Sequence, residues 1–323
     1  MSKFIGALAN IGIAKEAVRG TAETSATFYL PKMALSVDDV IDQVIDENTI
    51  GVIEDSIGAG LVHKASDIEI EGKIGAKSIG LLLYCLFGSK AVSGPTDSAY
   101  THTFTVAQSA QHQSLTVFQD DPNQDYKYAL GMIKKFDMNI ELKKFAIFKV
   151  GLRAKAGATA TLTPSYSAED SFLPQHGIIK VATTQAGLTA ASALSLRAVK
   201  LSIEKNVEED NAIGSTAPVD ILNKQIAIEG EIEVVFNDET FKTQMLADTA
   251  QALRIQLNNT DSLIGSTSTP VLTIDLHSVK YSDFKRNYVN GDVVTATVKF
   301  KAFYKLADSK MVTCTLVNAQ TSY

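Results

Sequence analysis

The sequence predicts a mainly β protein made of two tandem β-sandwich or barrel-like units, each carrying one short α-helix. Two observations predict it. First, the stretch Ser66-Asp67-Ile68-Glu69-Ile70-Glu71-Gly72-Lys73-Ile74 alternates strictly: Ile68, Ile70 and Ile74 on one parity, Asp67, Glu69, Glu71 and Lys73 on the other. That is the pattern of a strand with one face in a core and one face wet. Second, the pattern returns at Gln225–Val234, where Ile226, Ile228, Ile232 and Val234 take the apolar parity and Glu229, Glu231 and Glu233 the wet one. Both copies contain Ile-Glu-Gly, at 70–72 and 228–230.

Composition sets the bounds. At 323 residues the chain suggests two units of about 150 residues each. Its 45% apolar share supplies sizeable cores, and the absence of Trp with plentiful Thr, Val and Ile favours strands. A formal net charge of −6 argues against a protein that binds by neutralising phosphates. Cys85 and Cys314 are too few for a disulfide framework and are expected as packed thiols. Asn10, Lys15 and Glu16 interrupt the first apolar stretch too early for a secretion signal, and Ile79–Phe87 is too short for a bilayer span. The expectation is a chain soluble at birth, with no membrane insertion.

Taken in order, residues 1–32 read as an N-terminal arm, small and polar until Thr27-Phe28-Tyr29-Leu30-Pro31. The first unit spans 33–157 and starts with the strand Lys32–Val37. A long acidic loop or hairpin follows at 38–64, where Asp38, Asp39, Asp42, Asp46, Glu47, Glu54 and Asp55 meet no Lys or Arg before Lys64. Its interleaved Val and Ile residues leave two readings: a solvated acidic loop, or an arm that meets a neighbouring subunit. After the Ile-Glu-Gly strand, Ile79, Leu82, Leu83, Leu86 and Phe87 sit at helical spacing with Gly88 as the stop. Ser89–Ser98 is expected as a loop, marked by Ser93-Gly94-Pro95. Alternating strands follow at Tyr100–Val106 and Ser114–Gln119, then at Ile133–Leu142 and Phe145–Ala154 around Lys143-Lys144.

Residues 158–177, small and holding Pro164 and Pro174, read as a linker to a second unit at 178–323. There the landmarks recur. Leu201-Ser202-Ile203 answers Leu35-Ser36-Val37. Asp238–Leu246 begins as a capped helix at the place of the first. Leu253–Leu257 answers Leu115–Gln119, and Val294–Ala302 answers Phe148–Ala154. Landmarks in one order at offsets of about 140–170 residues indicate a duplication.

No catalytic pattern emerges, and no enzyme activity, cofactor or metal is expected. Gly72–Ser78 has the wrong glycine spacing for a phosphate loop. Asp121–Asp125 lacks the glycine and the glutamate of a calcium loop, having Tyr126 and Met132 at those places. His63, His102, His112, His176 and His277 are scattered, with His102 and His277 expected on wet strand faces. The basic groups, Lys134-Lys135, Lys143-Lys144, Lys149, Arg153, Lys299 and Lys301, lack the exposed aromatics that a nucleic-acid surface wants.

Glu16-Ala17-Val18-Arg19-Gly20-Thr21-Ala22, Tyr29-Leu30-Pro31, Leu35-Ser36-Val37, the Ile-Glu-Gly strand with its helix, Tyr100–Phe104 and Ser114–Val117 together resemble the bacteriophage tail tube proteins over most of residues 10–155. The resemblance implies a structural virion protein of the phage tail, assembled in the bacterial host cytoplasm. Its β-sandwich units would join their sheets in rings of six around a lumen, and the rings would stack into the tube through which the genome passes. With two units per chain, three chains would complete a ring; six chains, with the second unit outside, is the alternative. The partners implied are other copies of the chain, tape measure, tail terminator and distal tail or baseplate proteins, and viral DNA in transit. On this reading Glu69, Glu71, Glu229, Glu231 and Glu233 are candidates to face the lumen, and the seven acids at 38–55 candidates for an inter-ring arm. The competing readings are a tandem binding module of the lectin or adhesin kind, and another tail component such as a capping or distal tail protein.

Overall fold

The computed structural model describes residues 3–48, 50–109 and 111–323. Its strands are β1 (Asn10–Lys15), β2 (Phe28–Leu30), β3 (Lys32–Asp46), β4 (Gly58–Lys73), β5 (Gly88–Thr96), β6 (Ala99–Val106), β7 (Leu115–Asp120), β8 (Asp125–Glu141) and β9 (Ile147–Lys155), then β10 (Ala158–Ala160), β11 (Gly177–Ala182), β12 (Leu196–Asp210), β13 (Asp220–Val235), β14 (Gln251–Asn258), β15 (Val271–Asn287), β16 (Thr295–Ala302) and β17 (Val312–Asn318). Helix α1 is Ile79–Phe87 and helix α2 is Thr240–Leu246.

One long antiparallel sheet runs β3-β4-β9-β8-β12-β13-β16-β15. Two smaller sheets pack on it, β2-β1-β7-β8-β10 and β11-β14-β15-β17-β6-β5. Strands β8 and β15 belong to both layers. Each gives its first half to a small sheet and its second half to the long one, with a register shift at Ile133/Lys135 and at Tyr281/Asp283. A bulge of this kind is what bends a strand from one sheet into another.

The alternation read from the sequence is the alternation of the long sheet. Ile68, Ile70, Val150, Leu152, Leu201, Ile203, Ile228, Ile232, Val298 and Phe300 are buried, each gaining about 1.5–3 kcal/mol from leaving water. The glycine of Ile-Glu-Gly has a reason in both copies. Gly72 lies opposite Phe148, and Gly230 opposite Phe300; a β carbon at Gly230 would collide with the Phe300 ring and the Lys200 carbonyl, and one at Gly72 with the Pro31 carbonyl while crowding the Phe148 ring.

Several segments differ from expectation. Residues 1–32 are not one arm: β1 pairs with β2 and β7, and Ile11, Ile13 and Leu30 are buried. Of the two forms expected for 38–64 the structure has the hairpin, with β3 and β4 paired out to Asp46 and Gly58. Ser89–Ser98 is mostly strand β5, because β6 supplies an edge for it from Gly88 to Ser93. The 158–177 stretch is seated along the first half: β10 pairs with β8, and Phe172 is fully buried. His102 and His277 are buried, not wet. His102 meets the Gln320 carbonyl at 2.7 Å, and His277 sits between Asp308 and Thr313. Burial lowers the pKa of His102.

Candidate assembly surfaces

The wet face of the long sheet carries all five candidate glutamates, and it is charge-paired rather than simply acidic. Lys149 Nζ lies 2.9 Å from Glu69, Lys301 2.8 Å from Glu229 and Lys200 3.6 Å from Glu231. Asp67 takes Lys134 at 2.7 Å and Arg153 at 3.0 Å. Glu71 stands across the strand pair from Lys149 and contributes to raising that lysine's pKa, behind the Glu69 contact. Glu233 lies opposite Thr297 and Ala198 and has no ion-pair partner among the described residues. Lysines from β9, β12 and β16 interdigitate with the acids of β4 and β13, a juxtaposition that parity in one strand cannot reveal.

The β3–β4 hairpin carries the seven arm acids. Asp38 lies opposite Asp67 in register, and Asp39 accepts a hydrogen bond from Ser66 Oγ at 2.8 Å. Asp42 is 3.4 Å from His63, which also lies 2.8 Å from Glu209. Asp46 accepts from the Asn48 amide N–H. Glu47, Glu54 and Asp55 are exposed at the tip. The arm is apolar as well as acidic: Ile41, Val44, Ile45, Ile50, Ile53 and Leu61 are exposed, Ile53 completely at 103%. An exposed apolar patch rimmed by charge marks an interaction surface.

The long sheet has two unpaired edges. Among the described residues β3 pairs only with β4, and the Lys280–Asn287 half of β15 pairs only with β16. In the middle of the sheet the corresponding edges meet: β12, the counterpart of β3, lies against β8 from Ala198↔Glu141 to Glu204↔Lys135.

That central junction is pinned by side chains the sequence reading passed over or used only as a family mark. Glu16 is 2% exposed. Its carboxylate accepts from Gly20 N and Leu130 N, both at 2.7 Å, and from Ser114 Oγ at 2.6 Å. Leu130 has φ 58° at the bend of β8, and Gly20 has φ 76°, so the carboxylate holds two left-handed turns in place. Arg19 reaches from the same turn to Asp220 (2.7 Å) and the carbonyls of His112 and Ile221, both at 2.7 Å. Lys205, on the inward parity of β12, is 2% exposed at the C-terminal end of α1. Its ammonium faces the carbonyls of Cys85 and Leu86, where a helix terminus favours positive charge. Burial lowers its pKa to about 8 and pushes the Cys85 thiol up to about 12. The parity was the available signal: Val199, Leu201 and Ile203 point inward, and Lys205 follows them.

Asp97, at the β5–β6 turn, accepts from the backbone N–H groups of Ser266, Thr267 and Ser268. These hold its carboxyl well below the usual carboxylate range. They also tie the β5–β6 hairpin to the loop that precedes β15.

Among the described residues no cluster of His, Cys, Asp and Glu could hold a metal, and no helix is long and apolar enough to cross a membrane. A layered β fold with two open sheet edges and an exposed apolar, acidic hairpin has the surfaces of a protein that meets other protein. The family model of the phage tail tube protein matches residues 6–302. The chain belongs to that family, as a structural component of the phage tail. A comparison with individually curated proteins returns no match.

Proposed function

We propose that the chain is a duplicated tube subunit, three copies of which close a ring of six sandwich units, and that such rings stack into the conduit for genome ejection. The β8·β12 pairing carries the reading. It joins the two halves of one chain edge to edge, and the two edges left open, β15 and β3, stand in the same places on each half. Pairing β15 of one chain with β3 of the next repeats the junction around a closed ring and removes every exposed edge of the long sheet.

The recurrence of elements supports the duplication. β3, β4, α1, β7, β8 and β9 are answered in order by β12, β13, α2, β14, β15 and β16, and the long hairpins match in length, 15 and 16 residues in both halves. In this reading the wet face of the long sheet lines the lumen. Its lysines are matched by carboxylates, so a passing duplex meets few free cations to which its phosphates could bind. The β3–β4 hairpin is the contact between successive rings. Tape measure, terminator and distal tail proteins would meet the same tube, assembled in the bacterial cytoplasm, with DNA passing through unbound.

Negative-stain microscopy of concentrated protein, with native mass measurement, tests the reading. Rings with a central hole and masses in multiples of three chains are expected. A monomer at every concentration overturns it, and rings of six chains overturn the three-chain count.

A further inference from the structure

We propose that Phe4 is an intermolecular plug, seated in a second copy of this chain in the notch between Phe236 and Val294 beside helix α2. The proposal rests on the ring reading above and names a partner surface for it.

The first observation is a correspondence between the segments that lead into β1 and β11. Each ends in a 3-10 turn close before its strand, Gly6–Leu8 one residue before β1 and Pro174–His176 directly before β11. The turns make matching hydrogen bonds: Leu8 N to Ile5 O at 2.9 Å and His176 N to Leu173 O at 3.0 Å. Aligning the turns places Phe4 on Phe172. Yet Phe172 is wholly buried and Phe4 is 53% exposed.

The second observation is what buries Phe172. It lies across the first half of the chain, accepting from Ala146 N at 3.1 Å and donating its N–H to Ile74 O at 3.1 Å. Ile74 and Ala146 are themselves joined, Ile74 N to Ala146 O at 2.9 Å, and the second half repeats this link as Phe236 N to Val294 O at 3.0 Å. There, however, Phe236 O and Val294 N have no backbone partner among the described residues. The backbone link exists twice, and among the described residues only the first has a further segment paired across it.

Burial of the two helices agrees. Helix α1 buries every residue except Tyr84, under cover that includes the 169–173 segment, through Glu169 on the Lys77 and Ser78 amides, and Tyr323 on the Lys77 carbonyl. Helix α2 buries none, and its Leu246 is 73% exposed. Connectivity is also consistent. Within the chain, the segment holding Phe172 leads to β12, and the notch it fills belongs to the half holding β8. Phe4 leads to β3, and the empty notch belongs to the half holding β15, the two edges that pair between chains in the ring. A half-exposed phenylalanine gains further apolar burial by entering such a site.

The test uses the full chain with a photo-crosslinking benzoylphenylalanine in place of Phe4, mixed with isotopically labelled wild type and irradiated after assembly. Cross-links from the first segment to peptides around 236–246 or 288–296 of the labelled partner are expected. A second variant, Phe4→Asp, should raise the concentration needed for assembly on the order of 100-fold while the monomer melts as wild type does. Rings that form with Phe4 cross-linked elsewhere, or within its own chain, overturn the plug and leave the ring reading intact; so does Phe4→Asp assembling at the wild-type concentration. If the wild type forms no rings, the ring reading fails and the plug fails with it.

Discussion

Lys205 Nζ lies 3.1 Å from His112 Nδ1, inside the junction of the two halves of the chain. His112 Nε2 lies 3.1 Å from the Ala107 carbonyl, so the tautomer that donates there leaves Nδ1 to accept from the ammonium. Burial, then the Lys205 charge, lowers the His112 pKa. Both groups titrate below their ordinary values, so the unfolded chain binds more protons than the folded one in two windows. As pH falls below the ordinary histidine value of 6.5, the neutral His112 of the fold costs stability. As pH rises from about 8 toward 10.5, the unfolded lysine loses its proton too, and the cost of burying Lys205 is relieved. Denaturant melts of wild type and Lys205→Met at pH 7 and pH 10 should show wild type gaining about 2 kcal/mol on the variant. A pH-independent difference would mean that Lys205 stays charged throughout.

The Glu16 carboxylate gives a second expectation. Glu16→Ala leaves the buried Leu130 amide and the half-buried Gly20 amide without their acceptor. The cost should be roughly 3 kcal/mol in thermal or denaturant melts, with Glu16→Gln costing less because it keeps one accepting oxygen. Equal melts for Ala and wild type would show that these amides find other partners.

The contrast between Glu16 and the Ile-Glu-Gly strands shows what one sequence can reveal. Strand parity was legible because water and core select residues at alternate positions, and the glycines repeated because a neighbouring carbonyl and a facing ring, Pro31 with Phe148 and Lys200 with Phe300, leave no room for a side chain. The helix at Ile79–Phe87 and its Gly88 stop, at φ 81°, were legible for similar local reasons. Glu16 and Lys205 were not read, although each is polar in an inward place, because their donors and acceptors come from distant strands. The pairing of Glu69 with Lys149 likewise depends on register, which a single strand does not contain. Strand β5 was hidden because only the edge of β6 makes Ser89–Ser93 extended.

The paired wet face predicts a separation of assembly from transit. Each exposed ion pair there is worth under about 1 kcal/mol, so changing Glu69, Glu71, Glu229 and Glu231 to Lys should leave the fold and the tubes intact. It would also leave Lys149, Lys200 and Lys301 unmatched, creating a basic stripe that holds phosphates. Phage carrying the four changes should assemble tails and eject DNA more slowly, most visibly at low salt. Tails that fail to assemble, with normal ejection from the survivors, would place those glutamates at an interface instead.

The hairpin arm predicts that ring closure and ring stacking come apart. Ile50 and Ile53 are 71% and 103% exposed, next to Glu54 and Asp55, at the end of a hairpin whose base is fixed by β9. Because they touch little within the chain, Ile50→Asp with Ile53→Asp should change the melting of the monomer by no more than about 0.5 kcal/mol. In the proposed ring, closure would use the β3 and β15 edges, far along the hairpin from these residues, and should persist. Stacking would have to bury both new carboxylates, at a cost of several kcal/mol per contact if they stay ionised. Electron microscopy should therefore show single rings or short stacks where the wild type gives long tubes, and acid that protonates the carboxylates should partly restore length. Long tubes at neutral pH would mean that the tip remains in solvent and that successive rings are held by some other surface.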